Sequence, residues 1–376
     1  MPSTRGNVKS RLGLSPSKGG TNRALQASTT VVESQRRGKL SPAMGIMRKV
    51  SGQTVFLVFV VIGSCLALGY VFLTQPPNLL EEPQGQVSRL ALDDIPFNGR
   101  RAFGYLEKIC DLGPRMSGSD GMRKQQKLLA EHFRKLGGHV TFQRFQVRHP
   151  LTGQPVPMAN LVVQWHPQRR ERILLCAHYD TRPYPDRDPL RPRGTFVGAN
   201  DGASGVALLM ELAHDMPQLE SRYGVDFVLF DAEEFCFFNS EKDRYFIGSE
   251  YFARRYVAQP PEHRYRYGVL LDMVGDADLQ IYYERNSVSW PDTRKMVYEI
   301  WKTARRLGVR EFVSRKKYEI RDDHLKLRLI GKIPTCDIID FDYPYWHTEG
   351  DTPQRCSALS LAKVGWVLNE WIKNTP

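Results

Sequence analysis

Cysteine is scarce in this sequence, and no two cysteines stand close enough to form a recognisable pair. The chain has six cysteines in 376 residues, without a CxxC or CxxxC spacing. This pattern excludes a cysteine-ligated zinc ribbon and a dithiol redox motif. Cys176 falls within an apolar run that predicts a strand, so we expect free thiols in a packed core.

Excess charge is also absent from most of the chain. The formal net charge is +12, but residues 1–50 hold ten Lys and Arg against the single acid Glu33 and carry +9 of it. The remainder is close to neutral, which argues against nucleic acid as a partner. The basic run Arg305–Lys317 has no interleaved aromatic face, and we interpret it as a solvated helix edge and a loop.

Long hydrophobic runs are absent with one exception. Val55–Leu73 is a 19-residue apolar stretch, enough to cross a bilayer core of about 30 Å, and it predicts a transmembrane signal anchor over 54–74. Because the basic residues precede it, we expect 1–53 to be a disordered basic cytoplasmic tail. The folded part would then be extracytoplasmic, in a periplasm or a Golgi lumen. The proline-rich residues 75–98 predict a linker.

Two other interpretations of the N-terminal region compete with a retained anchor. Ile62–Cys65 loosely resembles a lipoprotein cleavage site, but apolar residues continue well past Cys65. Translation from Met44 or Met47 would shorten the tail and leave the anchor intact. The sequence favours a single-pass membrane protein, held to the membrane by this one helix.

From residue 99 to residue 376 the pattern is that of an α/β domain. Residues 140–147 and 159–165 alternate like half-buried strands, and four later runs are continuously apolar, as in strands covered on both faces. Those runs are RILLCAHYD, VDFVLFDAEE, YGVLLDMVG and IPTCDIID. The order predicts a mixed, mostly parallel central sheet flanked by helices and antiparallel at one edge. In such sheets the functional site lies beyond the carboxyl ends of the strands.

Acidic and imidazole side chains follow these apolar runs. The positions are His178, Asp180, Asp201, Glu233, Glu234, Asp272 and His347. Carboxylate and imidazole groups are zinc ligands, and three of them leave a fourth position open, as in catalytic zinc sites. Because successive side chains of an extended chain diverge, one of two adjacent glutamates can face a metal and the other a substrate. We therefore predict a metalloenzyme.

Each of these positions also has an interpretation without metal. Asp201 precedes a helix predicted to start near Ser204 and could cap it. Glu233 and Glu234 could be a solvated pair, and a loop histidine such as His347 is often only a hydrogen-bonding residue. The metal interpretation gains because the carboxylate candidates occupy equivalent strand ends.

Together these motifs resemble the M28 family of zinc exopeptidases and, within the same fold, the zinc-dependent glutaminyl-peptide cyclotransferases, or glutaminyl cyclases. The resemblance runs from about residue 97 to the C-terminus and implies a zinc exopeptidase-like fold. For an M28 aminopeptidase it implies two zinc ions and Glu233 as general base. The implied ligands are then His178, Asp201, Glu234, Asp272 and His347.

For the animal-type cyclases, the resemblance implies one zinc ion held by Asp201, Glu234 and His347. Glu233 then carries the proton. Asp272 and Asp322 form an acid network beside Glu233. The ligand set does not decide between the branches, because this chain has every residue that both need.

Several features favour the cyclase branch. A 13-residue segment, FCFFNSEKDRYFI, separates Glu234 from Gly248, whereas typical aminopeptidases need only a few residues there. Trp346 directly precedes His347, as in the cyclases, and residues 321–324 resemble the cyclase DDH element. The basic tail followed by one anchor also resembles the Golgi-resident cyclase.

Three features favour the peptidase branch. The sequence GANDGASG at 198–205 is closer to the peptidase pattern. The tryptophan of the cyclase insert is missing, and Phe237, Phe238 and Asn239 stand there instead. Cys176 matches one half of a cyclase disulfide, but the other half would lie near Val206, which is not a cysteine.

The function that the resemblance implies first is conversion of the N-terminal glutamine of a peptide or protein to pyroglutamate, with release of ammonia. Trp346, Tyr343 and Phe238 are the expected substrate contacts. A membrane-anchored dinuclear zinc aminopeptidase is the alternative, and a non-catalytic ectodomain is a third class. The sequence predicts no oligomeric state.

Overall fold

A six-stranded mixed sheet forms the centre of the domain in the computed structural model, which describes residues 87–238 and 243–375. The strands, in chain order, are β1 (His139–Arg148), β2 (Pro155–Trp165), β3 (Glu171–His178), β4 (Gly224–Phe230), β5 (Arg264–Asp272), β6 (Ile281–Tyr283), β7 (Phe312–Lys316) and β8 (Thr335–Ile339). The central sheet has the order β1-β2-β4-β3-β5-β8. β4, β3, β5 and β8 run parallel, whereas β2 pairs antiparallel with β1 and β4. The predicted mixed, mostly parallel sheet is confirmed.

Helices cover both faces of this sheet. They are α1 (Gly99–Cys110), α2 (Asp120–Lys135), α3 (Gly205–Leu212), α4 (Ile247–Ala258), α5 (Arg285–Ser289), α6 (Pro291–Arg306), α7 (Asp323–Leu329) and α8 (Ala358–Asn374). α1 packs against α3 and α8, and α4 packs against α7. Because side chains of a strand alternate between faces, Leu175 of β3 joins one apolar core and its neighbours Leu174 and Cys176 join the other.

Helix α2 shows how local sequence sets an element's ends. The Ser119 side chain accepts a hydrogen bond from the Met122 backbone N–H at 3.1 Å, which satisfies one free donor of the first turn. Gly137, with φ +89°, lies just beyond the last turn and provides the left-handed conformation that other residues avoid. A serine before the first turn and a glycine after the last therefore set the two ends of this helix.

A second, two-stranded parallel sheet corrects the interpretation of the basic run. Residues 305–311 end α6 and form a turn, but Phe312–Lys316 is strand β7, which pairs with β6. Phe312 is buried, whereas Arg315 and Lys316 are exposed. The run is therefore partly an edge strand. Its charges obscured the short apolar side that packs inward.

The last residues of the predicted linker belong to the folded domain. Leu92–Asp94 form a 3₁₀ turn, and Ile95 and Phe97 are buried in the larger core. The phenyl ring of Phe97 lies where a Cβ at Gly365 of α8 would stand. This contact fixes the chain directly before α1.

The predicted tail, the anchor and most of the linker lie outside the described residues. Within residues 87–238 and 243–375, no helix combines the length and apolar character needed to cross a bilayer. The five cysteines described there are buried and free, as expected. Cys65 is outside that range.

A buried ion pair at the start of β3 yields a stability prediction. Arg172 and Asp226 are fully buried, Arg172 Nε donates to Asp226 Oδ1 at 2.9 Å, and Tyr265 donates to Oδ2 at 2.5 Å. Arg172→Met leaves a buried carboxylate without its cation, so we expect the free energy of unfolding to fall by about 3–5 kcal/mol. Urea unfolding monitored by circular dichroism measures it.

The matched control is an exposed pair between β3 and the neighbouring strand β5. Arg264 contacts Glu171 at 2.8 Å, with side chains 66% and 40% exposed. Arg264→Met should change the free energy of unfolding by less than about 1 kcal/mol. Equal effects of the two substitutions would show that the buried pair does not stabilise the domain as argued.

Candidate active site

The carboxyl ends of the parallel strands bring the predicted site residues together. His178 ends β3, Asp272 ends β5, and the two adjacent glutamates follow β4 directly after a short turn. Asp201 comes from the loop between β3 and α3, and His347 from the loop after β8. The clustering follows from the topology, since parallel strands end at the same edge of a sheet.

One group of donor atoms centres on Asp201, Glu234 and His347. Nε2 of His347 lies 3.1 Å from Glu234 Oε1 and 3.5 Å from Asp201 Oδ2. All three residues are buried, and one donor atom from each lies within 4.8 Å of the others. These are the three residues that both branches of the resemblance assign to zinc.

A second group shares Asp201. Nε2 of His178 lies 3.1 Å from Asp201 Oδ1 and 3.3 Å from Asp272 Oδ1. One donor atom from each again lies within 4.8 Å of the others. Asp201 thus presents one oxygen to each group, the position of a bridging carboxylate.

Two buried aspartates hold the loops that carry the candidate ligands. Asp180 accepts the backbone N–H groups of Glu233 and Glu234 at 3.1 and 3.0 Å. Asp351 accepts the backbone N–H groups of Asn200 and Asp201 at 2.8 and 3.1 Å. The Asp201 side chain does not cap α3, as the alternative interpretation had it. It faces the histidines, and no side-chain hydrogen bond caps the start of that helix.

Unusual backbone conformations accompany these ligands. Ala232, Met273 and His347 have φ of 60°, 48° and 58°, a region that L-residues rarely occupy. Each is a candidate ligand or lies next to a candidate catalytic residue. Gly202 has φ +96°, and a Cβ at this position would lie only 2.7 Å from the Asp180 carbonyl oxygen. Glycine therefore allows the Asp201 loop to pass close to Asp180. Strain of this kind is typical of sites whose geometry the surrounding fold enforces.

The two adjacent glutamates differ in proton affinity. Burial, reinforced by the charge of Glu234, raises the pKa of Glu233 well above its usual range. Burial acts in the same direction on Glu234, but Arg182 and His347 outweigh it and lower its pKa. Glu234 is therefore the ionised ligand type, and Glu233 the type that exchanges a proton.

Asp272 and Asp322 lie beside this pair. Burial raises the pKa of both carboxyls, and the charge of Asp272 adds to the shift of Asp322. Asp322 Oδ1 also accepts the Asp323 backbone N–H at 2.5 Å and caps α7. Interacting acids of this kind titrate as a coupled pair. The acid network that the resemblance implies for Asp272 and Asp322 stays a prediction.

The donor set fits a zinc ion. Asp201 Oδ2 and the Nδ1 atoms of His178 and His347 are buried without a hydrogen-bond partner in the described part of the chain. Nε2 of His178 faces one oxygen of Asp201 and one of Asp272, and a single N–H can donate a hydrogen bond to only one of them. Buried carboxylates that have too few hydrogen-bond donors around them are stabilised by a cation. Imidazole nitrogens and carboxylate oxygens are ligands that suit zinc.

The predicted substrate contacts are placed differently from one another. The ring of Trp346 lies 4.0 Å from the His347 ring, tilted by 39°, and the guanidinium of Arg187 lies 3.9 Å from the centre of the Trp346 ring. Tyr343 is buried, and its hydroxyl donates to Asp351 at 2.8 Å, so it supports the Asp201 loop. Phe238 is 41% exposed and borders residues 239–242, which are not described. A substrate contact for any of them stays a prediction.

Three residues of the site were not predicted from the sequence. Arg182 and Asp186 contact the ligand candidates from the loop after β3, and Asp351 holds the Asp201 loop. Arg182 and Asp186 follow His178–Asp180 and are four residues apart. The spacing of these opposite charges could have indicated an ion pair beside the site. For Asp351, the sequence contained no indication beyond its position in the same loop as His347.

Comparison with known proteins then decides the family. The sequence pattern of peptidase family M28 matches residues 160–372, more than half of the chain. The chain belongs to peptidase family M28. All the candidate ligands lie within the matched residues.

Solved structures of similar proteins match this chain over nearly their whole length. A glutaminyl cyclase from Fimbriiglobus ruber superposes with a TM-score of 0.71 at 37% identity, covering 80% of this chain and 99% of that one. A leucine aminopeptidase precursor from Bacteroides thetaiotaomicron superposes with a TM-score of 0.70 at 30% identity, covering 74% and 98%.

Curated relatives match over shorter stretches. A mouse glutaminyl-peptide cyclotransferase-like protein is 26% identical over 266 residues, which cover 63% of this chain and 66% of the relative. The chain spans only 35% of the Escherichia coli protein YfbL, which is also similar. The described domain thus shares its fold with cyclases and with an aminopeptidase.

Proposed function

We propose that this protein is a zinc-dependent glutaminyl-peptide cyclotransferase that converts N-terminal glutamine to pyroglutamate and releases ammonia. The observation that carries the catalytic part of the proposal is the glutamate pair, in which Glu234 faces His347 as an ionised ligand and the neighbouring Glu233 has a raised pKa. The similarity to a solved glutaminyl cyclase at 37% identity favours the cyclase and supports its substrate class. Peptide and protein N-termini are the proposed partners.

A zinc ion held by Asp201, Glu234 and His347 would polarise the side-chain amide carbonyl of the substrate's glutamine. Glu233 takes a proton from the substrate's α-amine as the amine nitrogen bonds to the amide carbon. Glu233 then returns the proton to the departing ammonia as the carbon–nitrogen bond of the amide breaks. Amine and amide belong to one residue, so ring closure gains from proximity.

Other residues of the chain orient this reaction and keep water out. The raised pKa of Asp322 keeps a proton beside Asp272, so this pair can donate a hydrogen bond to the substrate. Trp346, whose ring lies beside His347, supplies an apolar wall that excludes water from the reacting amide. We also propose substrate contacts for Tyr343 and Phe238, from the sequence.

A dinuclear zinc aminopeptidase is the second candidate, and one observation favours it. His178, Asp201 and Asp272 form a second donor set that shares Asp201 with the first. Two ions bridged by that aspartate would suit hydrolysis by an activated water. We propose one zinc ion per chain, as the resemblance to the animal-type glutaminyl cyclases implies.

The products from a glutaminyl dipeptide separate the two activities. A cyclase releases one ammonia for each dipeptide consumed. The product is a pyroglutamyl dipeptide, lighter than the substrate by about 17 mass units, the mass of NH₃. An aminopeptidase releases free glutamine and the second residue. Mass spectrometry of the products should show only the first outcome. Free amino acids would support the second candidate instead.

The membrane anchor over 54–74 and an extracytoplasmic catalytic domain remain proposals from the sequence. Protease digestion of intact vesicles tests them. Protection of residues 100–376 from a protease on the cytoplasmic side is the expected result. Digestion from that side would contradict the orientation.

A further inference from the structure

Arg182 reaches the candidate zinc site from outside the ligand set. Its side chain is 5% exposed, and its terminal nitrogen Nη1 donates to Oε2 of Glu234. The Cys236 thiol lies 3.3 Å from the same oxygen. Both contacts engage Oε2 and leave Oε1 of Glu234 facing His347.

Asp186 stands between Arg182 and the second ligand. Its Oδ1 accepts from Arg182 Nε at 2.5 Å and lies 3.5 Å from Nδ1 of His347. That Nδ1 is buried and has no hydrogen-bond partner among the described residues. A carboxylate beside the second ring nitrogen favours a proton on Nδ1 and leaves Nε2 free to bind metal.

The two side chains form one unit with compensated charge. Arg182 neutralises part of the charge of Glu234, and Asp186 balances Arg182, so the pair adds no net charge near the site. Removal of Arg182 leaves the buried Glu234 without its cation, and removal of Asp186 leaves the charge of Arg182 balanced by Glu234 alone. The loop from 182 to 186 therefore contacts two of the three ligands at once.

We propose that Arg182 and Asp186 are positioning residues that fix Glu234 as a one-oxygen ligand and His347 as an Nε2 ligand. A single bound oxygen from Glu234 leaves the fourth zinc position to the substrate carbonyl. The inference rests on the proposed zinc site. It assigns retention of the metal, and access to its open position, to residues outside the ligand set.

The test uses Arg182→Gln, Arg182→Lys and Asp186→Asn in the full chain, with two readouts that do not depend on turnover. Zinc transfer to a chromogenic chelator gives the release rate, and cobalt substitution gives a visible spectrum that reports coordination. We expect Arg182→Gln and Asp186→Asn to weaken zinc retention by about 10–100-fold and to change the cobalt spectrum. Arg182→Lys should restore part of the retention because its ammonium can still donate to Oε2.

Arg101→Gln is the matched control. Arg101 donates to both oxygens of the buried Glu211 at 2.6 and 2.7 Å, so its loss also strips a buried glutamate of its arginine. Zinc release and the cobalt spectrum should remain as in the unmodified protein. Thermal melting of the metal-free proteins shows which variants fold. If Arg182→Gln does not fold, Arg182→Lys and Asp186→Asn decide the question.

Zinc retention and cobalt spectra that stay unchanged in the folded Arg182 and Asp186 variants would overturn the positioning role and leave the cyclase proposal standing. Failure of the unmodified protein to bind zinc or to cyclise glutaminyl dipeptide would instead refute the proposed function. Weaker retention in Arg101→Gln as well would also overturn the inference, by tracing the effect to general loss of stability.

Discussion

Glu233→Gln is expected to reduce cyclisation of a glutaminyl dipeptide by about 10²–10⁴-fold, the usual contribution of a positioned acid–base group. Glutamine keeps the size of the side chain but cannot take a proton from the attacking amine. The zinc content should not change, because Glu234 and not Glu233 faces His347. Initial rates of ammonia release and metal analysis of the same sample measure both quantities.

Glu234→Gln serves as the control for this result. Loss of its charge removes an ionised ligand, so that variant should lose zinc and activity together. If Glu233→Gln loses its zinc while Glu234→Gln retains it, the roles of the two glutamates are exchanged. If Glu233→Gln keeps full activity, the proton is carried by another group.

Asp201→Ala is expected to have the largest effect on metal binding. Asp201 contributes an oxygen to each of the two donor groups, so its removal weakens both. We expect zinc affinity to fall by more than the roughly 10–100-fold that loss of an outer partner costs. Isothermal titration of the metal-free protein with zinc gives the affinity and the number of sites.

His178→Ala distinguishes one ion from two. His178 belongs only to the donor group with Asp201 and Asp272. With one zinc ion at Asp201, Glu234 and His347, the variant should still bind one equivalent. A fall from two equivalents to one would show that the unmodified protein is dinuclear and would favour the aminopeptidase.

Local sequence was enough to predict the central sheet. The runs around Leu174, Val228, Val269 and Ile338 are continuously apolar, and strands that pack on both faces require that composition. Each run also ends in polar residues, which marked the edge where the site lies. The candidate ligands could therefore be named before their distances were known.

Contacts between distant parts of the chain could not be predicted in this way. Arg182 meets Glu234 across 52 positions, and Asn200 meets Asp351 across 151. Such pairs depend on the final packing of loops, which leaves no periodic signal in the sequence. The short strand β7 was missed for another reason, since its exposed Arg315 and Lys316 resemble a solvated loop.

The most direct test of the central claim is a crystal structure of the zinc-loaded protein, with anomalous diffraction recorded on both sides of the zinc absorption edge. The account predicts one strong peak about 2.0–2.2 Å from Asp201, Glu234 and His347, with the Glu233 carboxylate outside the coordination sphere. A peak bound by Glu233, or no peak between these three side chains, would contradict it.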